Sequence, residues 1–283
     1  MRIRVQHATR YRYSAPVFLE PHWVRMHPRC DGSLRLLAWQ MSVSPQPAGQ
    51  SVALDAHGNT ATRIWFGGET SELNVAVQFE VETLRENPYD FLLPRGETLA
   101  LPLRYPACER VALAPYLDAY LDGGPVAPAV AEFARGIAAE AGGQTMPFLD
   151  ALARRIWTGW KQVVRIDGDP FAPGQALGES ELACRDMAVL FRAACQSVGI
   201  AARFVSGYEL HSADHPAFLH AWAEAYVPGG GWRGYDPSRG MATANLHIPA
   251  AAALRAEDAA PVSGTFRGAA HAEMEVALQV ADV

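Results

Sequence analysis

The first thirteen residues alternate with a period of two. Ile3, Val5, His7, Thr9, Tyr11 and Tyr13 share one face of an extended segment, with Arg2, Arg4 and Arg10 on the other. A chain that begins this way has to bury one face of a sheet. Strand-like runs follow at 18–26, 34–43, 61–66 and 73–83, separated by turn signals such as His57-Gly58-Asn59 and Gly67-Gly68. Their spacing predicts an antiparallel β-sandwich. Its scattered histidines, His7, His22, His27 and His57, are expected to be surface or hydrogen-bonded residues rather than ligands.

From about Tyr116 the period changes. Ala-rich stretches at 128–141 and 148–160 read as helices, with Gly142-Gly143 as the break between them. The stripe Leu149, Leu152, Ile156 and Trp160 is expected in a core. Residues 180–197 form a third helical pattern in which Met187, Phe191, Ala194 and Val198 share a face and Gly199 supplies the stop. A cap at Ser180, or the Glu179–Glu181 stretch, places Cys184 in the first turn. Unpaired N–H groups and the positive end of the helix dipole stabilise a thiolate there, and the same groups can donate to an oxyanion. Cys195 lies eleven residues on, about 16 Å away along the helix. The two cannot form a disulfide, and Cys195 is expected to be a small buried residue.

Two strands follow, at 201–208 and 219–227. On the second, His220, Trp222, Glu224 and Tyr226 face one way. Ala221, Ala223, Ala225 and Val227 face the other, small enough to pack closely on a helix. The turn Pro228-Gly229-Gly230-Gly231 leads to a strand ending at Asp236. A thiol enzyme needs a cysteine, a histidine to take its proton and a group that fixes the imidazole tautomer. Cys184, His220 and Asp236 fill those places in chain order. With a loop of Val227-Pro228-Gly229, His220 faces Asp236 directly; with a loop centred on Gly230 it slides four residues away and a bulge is needed.

The chain has 283 residues, 49% hydrophobic and 19% charged, enough for a sizeable core and incompatible with global disorder. A net charge of −6 with no basic block argues against nucleic acid as a partner. Four scattered cysteines without a C-x-x-C pair suit neither a disulfide framework nor a structural zinc site. The start lacks an apolar signal-peptide core, and no run approaches the ~20 apolar residues of a membrane span. The expectation is a cytoplasmic protein with reduced thiols, no membrane partner, and no cofactor or metal.

The stretches Ala183-Cys184-Arg185-Asp186, Gly199 to Tyr208 (GIAARFVSGY), His220 to Tyr226 (HAWAEAY), Gly231-Trp232 and Asp236-Pro237-Ser238 together resemble the bacterial transglutaminase-like superfamily. The front segment, with His7, Tyr11, Tyr13, Arg25, Pro28-Arg29 and Asp55…Gly58-Asn59, is similar to the β-rich N-terminal region of such proteins, and Pro261–Phe266 with the alternating 274–280 resembles their end. The resemblance implies an α+β fold: an N-terminal β domain over 1–105, a papain-like core of helices on an antiparallel sheet over 106–260, and a strand in 261–283 returning to one of the sheets.

It also implies chemistry. Cys184 is the expected nucleophile, His220 the general base and Asp236 the orienter, attacking an amide carbonyl through a thioester. The expected partner is a peptide or protein carrying a side-chain or backbone amide, with water ahead of an amine as acceptor because no lid or extra substrate domain is identifiable. Two departures from the family pattern stand out. Glu181-Leu182-Ala183 precedes the cysteine in place of Gly-x-Cys, and Trp160-Lys161-Gln162 stands where an aromatic-x-Tyr is common. Gln162 and Trp160 are therefore the oxyanion candidates, and Trp222 and Trp232 are candidates to shield the acyl-enzyme from water. Asp186 is expected to be structural, paired with Arg203, and Glu224 a structural hydrogen-bonder; His211 and His215 near Asp214 read as a solvated loop. The rival reading is a catalytically silent peptide- or protein-binding module of the same fold.

Overall fold

The opening alternation becomes β1 (Arg2–Leu19), with Ile3, Val5, His7, Thr9 and Tyr13 buried along one face. The computed structural model describes every residue except 94–98, 118–126, 167 and 211–217. The 18–26 run is divided between β1 and β2 (His22–Val24) by Glu20-Pro21, where proline has no N–H for a ladder. β3 (Leu34–Ser44), β4 (Gly49–Leu54), β5 (Thr60–Trp65) and β6 (Glu69–Thr83) complete the front half. β4 has no alternation to betray it: its side chains are nearly all exposed, and only its ladder with β5 defines it.

The central part opens earlier than its periodicity suggests, with α1 (Ala107–Leu117), then α2 (Pro128–Glu140) and α3 (Thr145–Gly159). Gly142 and Gly143 make the α2–α3 turn at φ 63° and 68°, where a side chain would be strained. β7 (Lys161–Gln162), α4 (Pro173–Ala176) and β8 (Glu181–Leu182) lead into α5 (Cys184–Ser197). Then come β9 (Ala202–Glu209), β10 (His220–Val227), β11 (Gly231–Asp236), β12 (Met241–Ala242) and β13 (His247–Ala253). The chain ends with β14 (Val262–Ser263), β15 (Phe266–Arg267) and β16 (Ala272–Asp282).

The strands form three main antiparallel sheets. The first runs β15-β1-β6-β3, with β16 also paired to β1; the second runs β14-β2-β5-β4; the third runs β12-β11-β10-β9-β13. The first two sheets enclose a core of Ile3, Val5, Val75, Phe79 and Ile64, and Tyr208 of β9 and Ile248 of β13 complete that same core. The third sheet is therefore covered on both sides. Its other face meets the helices, where Ala223, Ala225 and Val227 of β10 share a core with Met187, Leu190, Phe191 and Ala194 of α5. Small residues on β10 let the helix sit close, as their alternation predicts. α5 itself is buried all round rather than along one stripe, because helices and sheet surround it.

Two polar joints tie the β layer to the third sheet. The Asn59 amide pairs with β13 like a strand residue, accepting from Ala252 N–H (2.8 Å) and donating to Ala252 O (2.9 Å). His7, buried in the junction, lies 3.0 Å from both the Tyr208 hydroxyl and the Thr9 hydroxyl. Hydroxyls can donate or accept, so they satisfy a neutral ring, and burial pushes the His7 imidazole down to about 4. Between the ordinary value of 6.5 and about 4, the unfolded chain takes up a proton that the folded chain refuses. Stability consequently falls as pH drops through that window, by about 3 kcal/mol in total from this residue. Urea unfolding from pH 7 to 4 is expected to show this loss, and His7→Gln to flatten it.

Candidate active site

Cys184 is the first residue of α5, half-buried, with Ala183 as N-cap. The cap is neither Ser180 nor the Glu179–Glu181 stretch, since Glu181 and Leu182 form β8, paired in parallel with β7. Ala183 has no side-chain acceptor, and Asp186 closes the helix start from within. Its Oδ2 accepts from Ala183 N–H (2.8 Å) while Oδ1 accepts from Phe171 N–H (2.8 Å) and the Arg165 guanidinium (2.7 Å). The expected Asp186–Arg203 pair does not form. Arg203 instead bonds Glu224 (2.7 Å) on the sheet. Arg165 and two N–H groups thus answer the Asp186 carboxylate at the helix start. The first-turn N–H groups of Cys184 and Arg185 have no acceptor within the helix.

His220 begins β10 and Asp236 ends β11. The hairpin closes at Val227–Gly231 over Pro228-Gly229-Gly230, with Gly229 and Gly231 at positive φ. This register lies between the two considered from sequence and needs no bulge. One step past the last pair, Ala223–Tyr235, Asp236 is level with Trp222 and diagonal to His220, a separation a histidine side chain spans. The ring Nε2 lies 2.6 Å from Asp236 Oδ2. Cys184 also acts on the same ring. Burial alone would push His220 down, but the Asp236 charge and hydrogen bond, then Cys184, hold it well above its ordinary value. Burial likewise pushes Asp236 up, and His220 and His247 overcome it to hold the carboxyl far below the usual range. Cys195 is the contrast: fully buried in the helical core, its thiol is pushed well up by desolvation.

Sequence reasoning did not single out the rest of this cluster. Asp236 Oδ1 accepts from Ser238 N–H (2.9 Å) and Oγ–H (2.8 Å), and Oδ2 also faces His247 Nε2 at 3.0 Å. Glu209, bound through both oxygens to Arg239, brings Oε2 to 3.5 Å from His220 Nε2. One ligand-type atom from each of Glu209, His220, Asp236 and His247 lies within 4.8 Å of the others. Gly207, paired opposite His220, permits this crowding: a Cβ there would sit 2.2 Å from Ile248 O. Ser238 had a sequence signal in Asp-Pro-Ser. His247, leading an Ala-rich strand some distance on, had none.

The remaining candidates separate. Trp222 is buried, its ring 6.0 Å from His220 and 5.3 Å from His247, and it walls the imidazoles. Trp232 stands opposite Tyr226, about 20 Å along the strand from His220, beneath the Arg203 guanidinium at 4.1 Å; it cannot shield the sulfur. Trp160 packs edge-on to Phe133 against the helical core. Gln162 is exposed on β7 and paired with Leu182, two residues before Cys184. His211, Asp214 and His215 lie outside the described residues. Among the described residues, no helix is long and apolar enough to cross a membrane.

Removing the Asp186 carboxylate leaves two buried N–H groups and Arg165 without their acceptor. Asp186→Ala is expected to cost about 3 kcal/mol in urea unfolding, and Asp186→Asn clearly less because its amide oxygen still accepts.

Comparison with known proteins adds the lineage. Residues 3–82 match the bacterial transglutaminase-like N-terminal region and residues 135–237 the transglutaminase-like superfamily. The chain is 25% identical to an uncharacterized protein of Mycobacterium leprae, over 99% of this chain and 98% of that one. It is 27% identical to an uncharacterized protein of Mycobacterium bovis, over 93% and 87%. A crystal structure from Cytophaga hutchinsonii, of a proposed cysteine protease, superposes with a TM-score of 0.73 at 20% identity, covering 100% of this chain and 91% of that one; at that identity the likeness is one of fold. With both family regions in order along one chain and the whole fold shared, the protein belongs to the transglutaminase-like superfamily.

Proposed function

We propose that the protein is a cysteine-dependent acyl-transfer enzyme acting on an amide, with water as the principal acceptor. One observation carries the reading: a buried imidazole held between Cys184 and Asp236, with 2.6 Å to the carboxylate. His220 takes the Cys184 proton and the thiolate attacks the amide carbonyl carbon. The oxyanion that forms is met by the Cys184 backbone N–H, with the Gln162 amide as second donor. His220 then gives its proton to the departing nitrogen as the C–N bond breaks, leaving a thioester. In the second half, His220 takes a proton from water, hydroxide adds to the thioester carbon, and the acid leaves as the sulfur regains its proton.

Asp236 stays ionised throughout and holds the ring with Nε2–H toward itself. Hydrolysis is favoured over transfer to an amine because Cys184 is only partly buried, whereas an amine acceptor needs a thioester shielded from water. The substrate class is a peptide or protein amide.

Iodoacetamide at pH 7, followed by peptide mass mapping, is expected to label Cys184 at least ten times faster than Cys195, Cys30 or Cys108. His220→Ala is expected to abolish that advantage. On a peptide amide library, Cys184→Ala is expected to remove turnover and Asp236→Asn to lower it by about 10²–10⁴-fold. Slow, equal labelling of all four thiols would leave a binding module as the reading.

A further inference from the structure

A carboxylate offers about four lone-pair positions, and at Asp236 all four are used. Ser238 takes both on Oδ1, while His220 (2.6 Å) and His247 (3.0 Å) share Oδ2. For His247 to donate, its proton must be on Nε2. Its Nδ1 is buried with no partner among the described residues, so a second proton there would be an unpaired buried donor, which is costly. His247 thus shares the Asp236 carboxylate with His220 as a second donor.

Beside the His220 Nε2–H lies a second carboxylate. Glu209 Oε2 is 3.5 Å away, and Arg239 holds both Glu209 oxygens. The charged and titratable groups around the ring are then Cys184 from α5, Glu209 from β9, Asp236 from β11, His247 from β13 and Arg239 from the turn after β11. The uncharged Trp222 ring closes the remaining side.

Building on the thiol-enzyme reading above, we propose that Glu209 and His247 are positioning residues that set, in opposite directions, how firmly His220 holds its proton. Glu209 strengthens the hold by adding negative charge beside Nε2–H and by compensating Arg239. His247 weakens it by competing for Asp236 Oδ2, which keeps the ring able to release a proton during turnover. His220 is accordingly ionised by a balance between two carboxylates and a second imidazole, with the fold contributing groups from five separate places.

The test uses the full chain and iodoacetamide alone, reading Cys184 alkylation from pH 5 to 10 by mass mapping. The upper step of that profile reports loss of the imidazolium proton, since the thiolate then reacts without its partner cation. Glu209→Gln removes negative charge and is expected to move the step to lower pH, speeding labelling on it about threefold or more. His247→Leu, similar in volume but without a donor, is expected to move it to higher pH and slow labelling there by a similar factor. Glu209→Asp and His247→Gln, which restore a carboxylate and a donor, are expected to return toward wild type. A merely structural role leaves the step in place in both variants, or moves it in one direction in both, and either result overturns the proposal. If His247→Leu does not fold, the Glu209→Gln and Glu209→Asp pair decides alone. If wild-type Cys184 shows no fast labelling, or His220→Ala leaves it unchanged, the underlying enzyme reading fails instead.

Discussion

A fully buried carboxylate is tolerable only if every lone pair is answered, and Asp236 imposes that condition on the second half of this protein. Ser238 must follow at two residues, His220 must arrive from β10, and His247 must arrive from β13 across the intervening β9. The demand constrains the hairpin register, since a one-residue slip would carry Asp236 to the opposite face of the sheet from His220. It also explains Gly207, which lets β13 and Trp222 close over the histidine. The third sheet is assembled around the need to keep one charge dry and paired.

The start of α5, where the proposed nucleophile Cys184 sits, is held by a second buried acid. Asp236 faces an imidazole, whereas Asp186 closes the first turn of the helix. Three donors absorb the Asp186 charge, one of them the Arg165 guanidinium stacked 4.2 Å from the Phe171 ring. Two of those donors, Arg165 and Phe171, come from the loop between β7 and α4, so the helix start and that loop are fastened together. The N-terminal β layer supports this arrangement from behind through Tyr208, Ile248 and the Asn59–Ala252 pairing, which brace β9 and β13.

Legibility in the sequence followed the range of the interaction. β1 could be read at once because its alternation is local and its buried face is continuous, and α3 because its stripe repeats. The near-neighbour logic at Cys184, a cysteine opening a helix, also needed no tertiary information. β4 escaped because an exposed edge strand has no apolar face to alternate, and α1 because its pattern is weak and only Leu113 is buried. Trp232 and Trp160 were plausible shields and donors by composition, but the ladder and the helical core carry them elsewhere. Asp186 was rightly structural yet its partner was misassigned, since Arg203 and Arg165 are equally available in a linear reading.

The order of elements, the helix that begins at a cysteine, the small face of β10 and the residue types able to do thiol chemistry were all determined by the sequence, because each depends on spacing within one turn or one strand. Tertiary structure alone decided that Glu209 and His247 stand beside His220, that Arg165 rather than Arg203 answers Asp186, and that Asp236 lies diagonal to the histidine. Those facts depend on where separate strands come to rest against one another, and no local periodicity encodes the meeting of side chains contributed by β9, β10, β11 and β13.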